Sequence, residues 1–191
     1  MKAKSTKDRR MRQRLTREAA RLMADEGIAS FYKAKYKAAE RLGALDTRNM
    51  PGNHEIEQAL MDYQRLFKAD TQPARLRELR EAALEAMHLF TDFNPRLVGP
   101  VFSGSADEHS GVQLHLFTDT AELVSLFLLD HNIPFEMDER RLTFNRKGGA
   151  DIYPVYCFMA GDISMDVTVF PVDGIRQAPL SPVDGRPIKR A

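Results

Sequence analysis

An α+β chain is expected: an N-terminal helical module, then a small mixed β-sheet domain with covering helices. Three observations lead there. Up to about residue 92, apolar side chains recur three, four and seven positions apart, the spacing of one face of an α-helix. From Asn94-Pro95 onward the texture changes to short segments in which apolar and polar residues alternate, as they do along a half-buried strand. The last twenty residues are rich in proline and glycine and suit only an extended course along the surface or a loose one. The chain therefore reads as a disordered basic tail (1–10), a helical module (11–92), an α/β domain (93–172) and an extended C-terminal tail (173–191).

The helical module divides at its punctuation. Leu15, Ala19, Leu22 and Met23 lie along one side of a helix from about Met11 to Glu26, and Gly27 stops it. Phe31, Ala34, Ala38 and Leu42 mark a second helix over 30–42, ended by Gly43. Asn, Pro and Gly make a loop of 46–53, where Asn53 can cap a third helix over 54–68 carrying Ile56, Leu60, Tyr63 and Phe67. Pro73 suits the first turn of a fourth, which runs to about Phe90 through Leu76, Leu79, Ala83 and Met87.

In the second half, Leu97–Ser103 is an apolar run ending near Gly104-Ser105 and reads as a strand. Val112–Phe117 alternates, and residues 120–131 form a helix. Strands are expected over Ile133–Met137, Arg141–Asn145, Tyr153–Met159 and Ser164–Phe170, with turns at Lys147-Gly148-Gly149 and Gly161-Asp162.

Composition narrows the function. The 191 residues are 43% hydrophobic and 29% charged, as in an ordinary globular protein. No apolar run reaches membrane-spanning length and no secretory signal follows the basic start, so a cytoplasmic protein without a membrane partner is expected. The one cysteine, Cys157, excludes an internal disulfide and sits among apolar residues as if in the core. The net charge of +1 hides a division. Residues 1–50 hold 14 Lys/Arg and 6 Asp/Glu, leaving 14 and 21 of the chain's 28 and 27 to the rest, so the parts carry +8 and −7. The basic part could meet RNA phosphates, or the acidic part of its own chain or of a twin in a homodimer.

The residues with chemistry converge on two strands. Along 111–117, Val112, Leu114 and Leu116 point one way while Gln113 and His115 point the other. Along 164–170, Met165, Val167 and Val169 oppose Ser164, Asp166 and Thr168. In one sheet, these strands present Gln113, His115, Ser164, Asp166 and Thr168 on a single polar surface. There a His115–Asp166 pair could serve as general base, or hold a metal with His109.

The stretch Val101-Phe102-Ser103-Gly104-Ser105, then Ser110–Phe117, then Ile163–Val169 resembles the core of the nucleotidyltransferase fold, the polymerase-β-like superfamily. The resemblance spans about residues 95–171. It implies that the Gly104-Ser105 turn holds phosphates. Two carboxylates one residue apart on the next strand would hold Mg²⁺ with a third from a later strand, because hard cations bridging phosphates take oxygen ligands. Asp166 matches the third. The first two positions fall on Gly111 and Gln113.

The implied protein is a catalytically degenerate nucleotidyltransferase-like domain binding a nucleotide or other phosphate-bearing ligand across Gly104, Ser105 and the polar face. If it is active, its acids are relocated to Asp107 or Glu108 with Asp166, and the cofactor is Mg²⁺. A different reading is an RNA- or protein-binding adaptor built on Arg12, Arg14, Arg17, Lys33, Lys35 and Lys37, with Tyr32 or Tyr36 stacking on a base.

Overall fold

The structure is a computed structural model that describes residues 6–145 and 148–191. It divides into two units, one of Met1–Gln72 with Pro182–Asp184 and one of Pro73–Ser181 with Gly185–Ala191. No helix among the described residues is long and apolar enough to cross a membrane.

Three helices build the first unit: α1 (Thr6–Glu26), α2 (Phe31–Arg41) and α3 (Asn53–Phe67). Their apolar faces meet in one buried cluster of Leu15, Ala19, Leu22 and Met23 with Ala34, Ala38, Ile56 and Leu60. Residues 6–10, expected in a disordered tail, are the opening turns of α1; residues 1–5 lie outside the described residues. Lys and Arg are good helix formers even without apolar spacing, and Asp8 sits in the first turn, where the helix dipole favours an acid. Ser30 caps α2, its hydroxyl accepting the Lys33 N–H at 3.4 Å. Asn53 does not cap α3. It is the first helical residue, and the Glu55 carboxylate instead reaches back to accept the Gly52 N–H at 2.6 Å.

The second unit opens with α4 (Gln72–Leu89), whose Leu79, Ala83 and Ala86 share a core with the sheet. The change of texture at Asn94-Pro95 thus marks the start of the strands and not the division of the chain. There follow β1 (Arg96–Val98), α5 (Gly99–Ser103), β2 (Val112–Phe117), α6 (Glu122–Asp130), β3 (Phe135–Thr143), β4 (Ala150–Ala160) and β5 (Ile163–Phe170). The sheet order is β1-β2-β5-β4-β3, with β2 and β5 parallel and every other neighbouring pair antiparallel. One face is covered by helices. Val112, Leu114, Leu116, Met165, Val167, Val169, Tyr156 and Phe158 pack there with Phe90, Val124 and Leu128. Tyr156 is satisfied within this core, donating its hydroxyl to Ala121 O at 3.0 Å.

Three expectations are corrected. The apolar run 97–103 is a three-residue strand followed by a helical turn, because Gly99-Pro100 breaks the strand and Pro100 starts the helix. The two strands expected over 133–145 are one, β3, which pairs with β4 along its whole length; Lys147 of the expected turn lies outside the described residues. The last residues are not simply extended. Val172–Arg176 is a 3₁₀ turn, Leu180 bridges Pro187, and Ala191 exchanges two backbone hydrogen bonds with Leu97 of β1, at 2.9 and 3.1 Å.

Candidate functional site

The parallel register of β2 and β5 pairs Gln113 with Asp166 and His115 with Thr168. Paired residues in a sheet point to the same face, so these four lie together on the face opposite the helices. The same register brings Arg96 of β1 opposite His115, and Cys157 of β4 opposite Asp166. Cys157 is therefore not on the helix-covered core face. Burial raises its thiol pKa, and the neighbouring Asp166 carboxylate raises it further.

Asp166 has a partner that the sequence did not reveal. Arg140, reaching in from β3, sets its Nη2 3.0 Å from Asp166 Oδ2 and its Nη1 3.4 Å from Thr168 Oγ1. Both members of the pair are about one-third exposed, at 34% and 33%. Arg140 belongs to the charged run Asp138-Glu139-Arg140-Arg141, where alternation gives no sign of which side chain faces inward.

His115 is only 3% exposed, with its ring 4.6 Å from that of Phe170. Burial drives its pKa down to about 3, and the positive charges of Arg190 and Arg140 push the same way. It is uncharged at neutral pH and too weakly basic for the general-base role expected of it. Its Nδ1 is buried with no hydrogen-bond partner among the described residues.

The cover over this end of the face comes from the C-terminal segment. The Arg190 guanidinium lies 5.2 Å from the Phe117 ring centre and 5.6 Å from that of Phe170, and donates to Gly174 O and Gln177 O, both at 3.1 Å. Burial, then repulsion from Arg96, lowers the Arg190 pKa. His115 and Thr168 are thus shut in, whereas Gln113 and Asp166 keep part of their surface.

The expected phosphate turn is arranged differently. Gly104 ends α5 in a left-handed conformation (φ 84°), and the N–H groups of Gly104, Ser105 and Ala106 all converge on Pro100 O at 2.9–3.1 Å. Those donors already serve an acceptor of the chain, and the Ser105 hydroxyl lies 2.9 Å from that of Ser103. Asp107 is buried in its own loop, Oδ1 accepting from His109 N–H (3.1 Å) and the Ser110 hydroxyl (3.0 Å). His109 lies 3.8 Å from Glu108.

Two glycines shape the backbone around Gly111 and Gln113, where the resemblance leads one to expect carboxylates. A Cβ on Gly111 would collide with the Ser164 hydroxyl and come within 2.6 Å of the Ser164 carbonyl oxygen. No side chain fits there, so an acid is excluded by packing. A Cβ on Gly99 would collide with the Gln113 amide, which lies over that bare backbone. Among the described residues no group of three or more His, Cys, Asp or Glu is placed to hold a metal ion. Asp166 stands with Arg140, and His109 with Glu108 in the loop.

Compared with protein-family models, curated proteins and solved structures, the chain finds no match.

In the first unit much of the basic charge is paired. Arg12 binds Glu55 and donates to Met50 O. Lys37 and Arg41 share Glu26 at 2.6 and 2.7 Å, and Arg21 holds Glu18 at 2.8 Å. Tyr32 and Tyr36 are exposed, but against each other, with ring centres 4.5 Å apart.

Proposed function

We propose that the second unit is a catalytically degenerate nucleotidyltransferase-like module that binds a nucleotide or another phosphate-bearing ligand on the β2–β5 face without a divalent metal. The order β1-β2-β5, with a helical turn after β1 and an acid on β5 beside β2, supports this reading. The observation that carries it is the Arg140–Asp166 pair. The acid in the place of the third metal ligand is neutralised by the chain's own guanidinium. Its neighbour on β2 is an amide, Gln113, and the other position, Gly111, admits no side chain. Metal-assisted transfer needs the opposite arrangement, carboxylates left to meet a cation that bridges phosphates.

The test is thermal melting of the full chain with ATP, GTP, AMP and pyrophosphate, in EDTA and in Mg²⁺. A ligand at a hundred times its Kd adds about 2.7 kcal/mol. The expected result is a rise of several degrees that is equal in the two buffers, with no release of pyrophosphate. A shift seen only with Mg²⁺ and lost in Asp166→Asn would favour an active transferase, and the absence of any shift would remove the reading.

The adaptor reading draws less support. Arg12, Lys37 and Arg41 are held by Glu55, Glu18 and Glu26, which lowers the charge that α1 and α2 offer to phosphates.

A further inference from the structure

Within that reading, we propose that Arg96, Arg140 and Arg190 form an anion subsite on the polar face, and that a phosphate group of the ligand takes Arg140 from Asp166. Three guanidinium groups from distant parts of the chain come to one region. Arg96 stands opposite His115 in the register, Arg140 reaches Asp166 and Thr168, and Arg190 lies over Phe117 and Phe170. The acid at the centre of the face is Asp166. By the same register Glu136 and Asp138 of β3 and Asp151 of β4 share the face, towards its outer side, and Asp151 and Asp173 act on Tyr153. Gathering like charges costs free energy, and a dianion among them lowers that cost. Burial is the main cause of the lowered pKa of His115 and of Arg190; in addition Arg190 and Arg140 disfavour a proton on His115, and Arg96 disfavours one on Arg190.

Two further groups mark an unfilled demand. His115 Nδ1 and Arg190 Nε are buried and have no hydrogen-bond partner among the described residues, a state that buried polar atoms seldom keep. Arg140 is available for exchange because its pair with Asp166 is partly solvated, and such pairs are weak, whereas guanidinium and phosphate match in a two-pronged contact.

The sign of one substitution separates this subsite from a metal site. If Asp166 competes with the ligand for Arg140, its removal tightens binding; if Asp166 holds a cation, its removal weakens binding. Titration calorimetry of the full chain in EDTA and, separately, in Mg²⁺, with ATP, AMP, pyrophosphate, inorganic phosphate and adenosine, makes the measurement. The phosphate-bearing ligands should bind and adenosine should not. Arg140→Gln should weaken pyrophosphate or ATP by about tenfold or more, and Asp166→Asn should strengthen it about threefold or more. Arg140→Lys, which keeps the charge but not the fork, serves if the glutamine variant melts early, and should fall between. Affinity should drop as NaCl rises.

Nucleotide binding in EDTA that ignores Arg96→Gln and Arg140→Gln would remove the subsite and leave the broader reading standing. Weaker binding by Asp166→Asn in EDTA would remove the subsite; binding seen only in Mg²⁺ and weakened by Asp166→Asn would remove both. So would the failure of every ligand to bind.

Discussion

Arg140 of β3 and Asp166 of β5 join side chains across the intervening strand β4, Nη2 to Oδ2 at 3.0 Å. The pair gives Asp166 a charged partner within the chain. The carboxylate balances a guanidinium, on a face to which Arg96 belongs by register and over one end of which Arg190 lies. The stability contribution of the pair is small because both groups keep a third of their surface. A double-mutant cycle of Arg140→Gln and Asp166→Asn, read by urea unfolding, should give a coupling of about 0.5–1 kcal/mol, shrinking in high salt. A coupling several times larger would mean that the pair is more desolvated than its exposure indicates.

Gly111 leads to the second prediction. A methyl group there meets both the hydroxyl and the backbone carbonyl of Ser164. Gly111→Ala should therefore destabilise the fold by about 1–3 kcal/mol, the range for overpacking a tight site. Ser164→Ala should not rescue it, since the carbonyl oxygen, 2.6 Å from the added Cβ, remains. Urea unfolding of the two single variants and the double variant decides. For the same reason, replacing Gly111 and Gln113 by aspartates should lower stability before it creates any metal site.

What the sequence revealed of this site follows from where its strands lie. β2 and β5 are central and each has one buried face, so alternation fixed which residues point where, and Gln113 did come to stand beside Asp166. β3 is an edge strand with exposed side chains along most of its length, and its charged middle carries no such pattern. Its sequence reads as two strands, Ile133–Met137 and Arg141–Asn145, with Arg140 in the gap between them. The run 97–103 misled for another reason. Short apolar stretches suit a strand and a buried helical turn alike, and Gly99-Pro100 decides between them. Arg190 could not be found at all, because its position over Phe117 and Phe170 depends on the backbone bonds between Ala191 and Leu97, a pairing of residues distant in sequence. The helix faces of α1, α2 and α3 are readable because their spacing is local, except at Phe67, which follows the spacing but ends α3 exposed at 70%.

His115 gives stability a pH dependence. Its folded pKa, about 3, lies below the unfolded value near 6.5, so between those values the unfolded chain holds a proton that the folded chain does not. The folded state is thereby fully favoured above pH 6.5 and loses ground as pH falls towards 3. Burial sets most of this, and the charges of Arg190 and Arg140 push the same way. The total loss is on the order of a few kcal/mol. His115→Phe, which keeps a ring against Phe170, should flatten the stability profile between pH 6.5 and 4. An unchanged profile would place the acid sensitivity elsewhere.

Arg190 is the residue by which that profile can be shifted without touching the histidine. Its guanidinium covers Phe117 and Phe170 and donates to Gly174 and Gln177. Arg190→Gln removes the cover, both backbone contacts and one of the charges that oppose protonation of His115. Two effects should appear together. Stability at neutral pH should fall by about 1–2 kcal/mol, from lost hydrogen bonds and newly wetted aromatic surface. The His115 pKa, followed by the NMR shifts of its ring, should rise towards the ordinary histidine range, because water reaches the ring and a cation has gone. The rise should be incomplete, since burial beneath Phe170 and the charge of Arg140 remain. If stability fell while the ring still titrated near pH 3, Arg190 would act only as a clamp on the last residues, and the charge of the face would rest on Arg96 and Arg140.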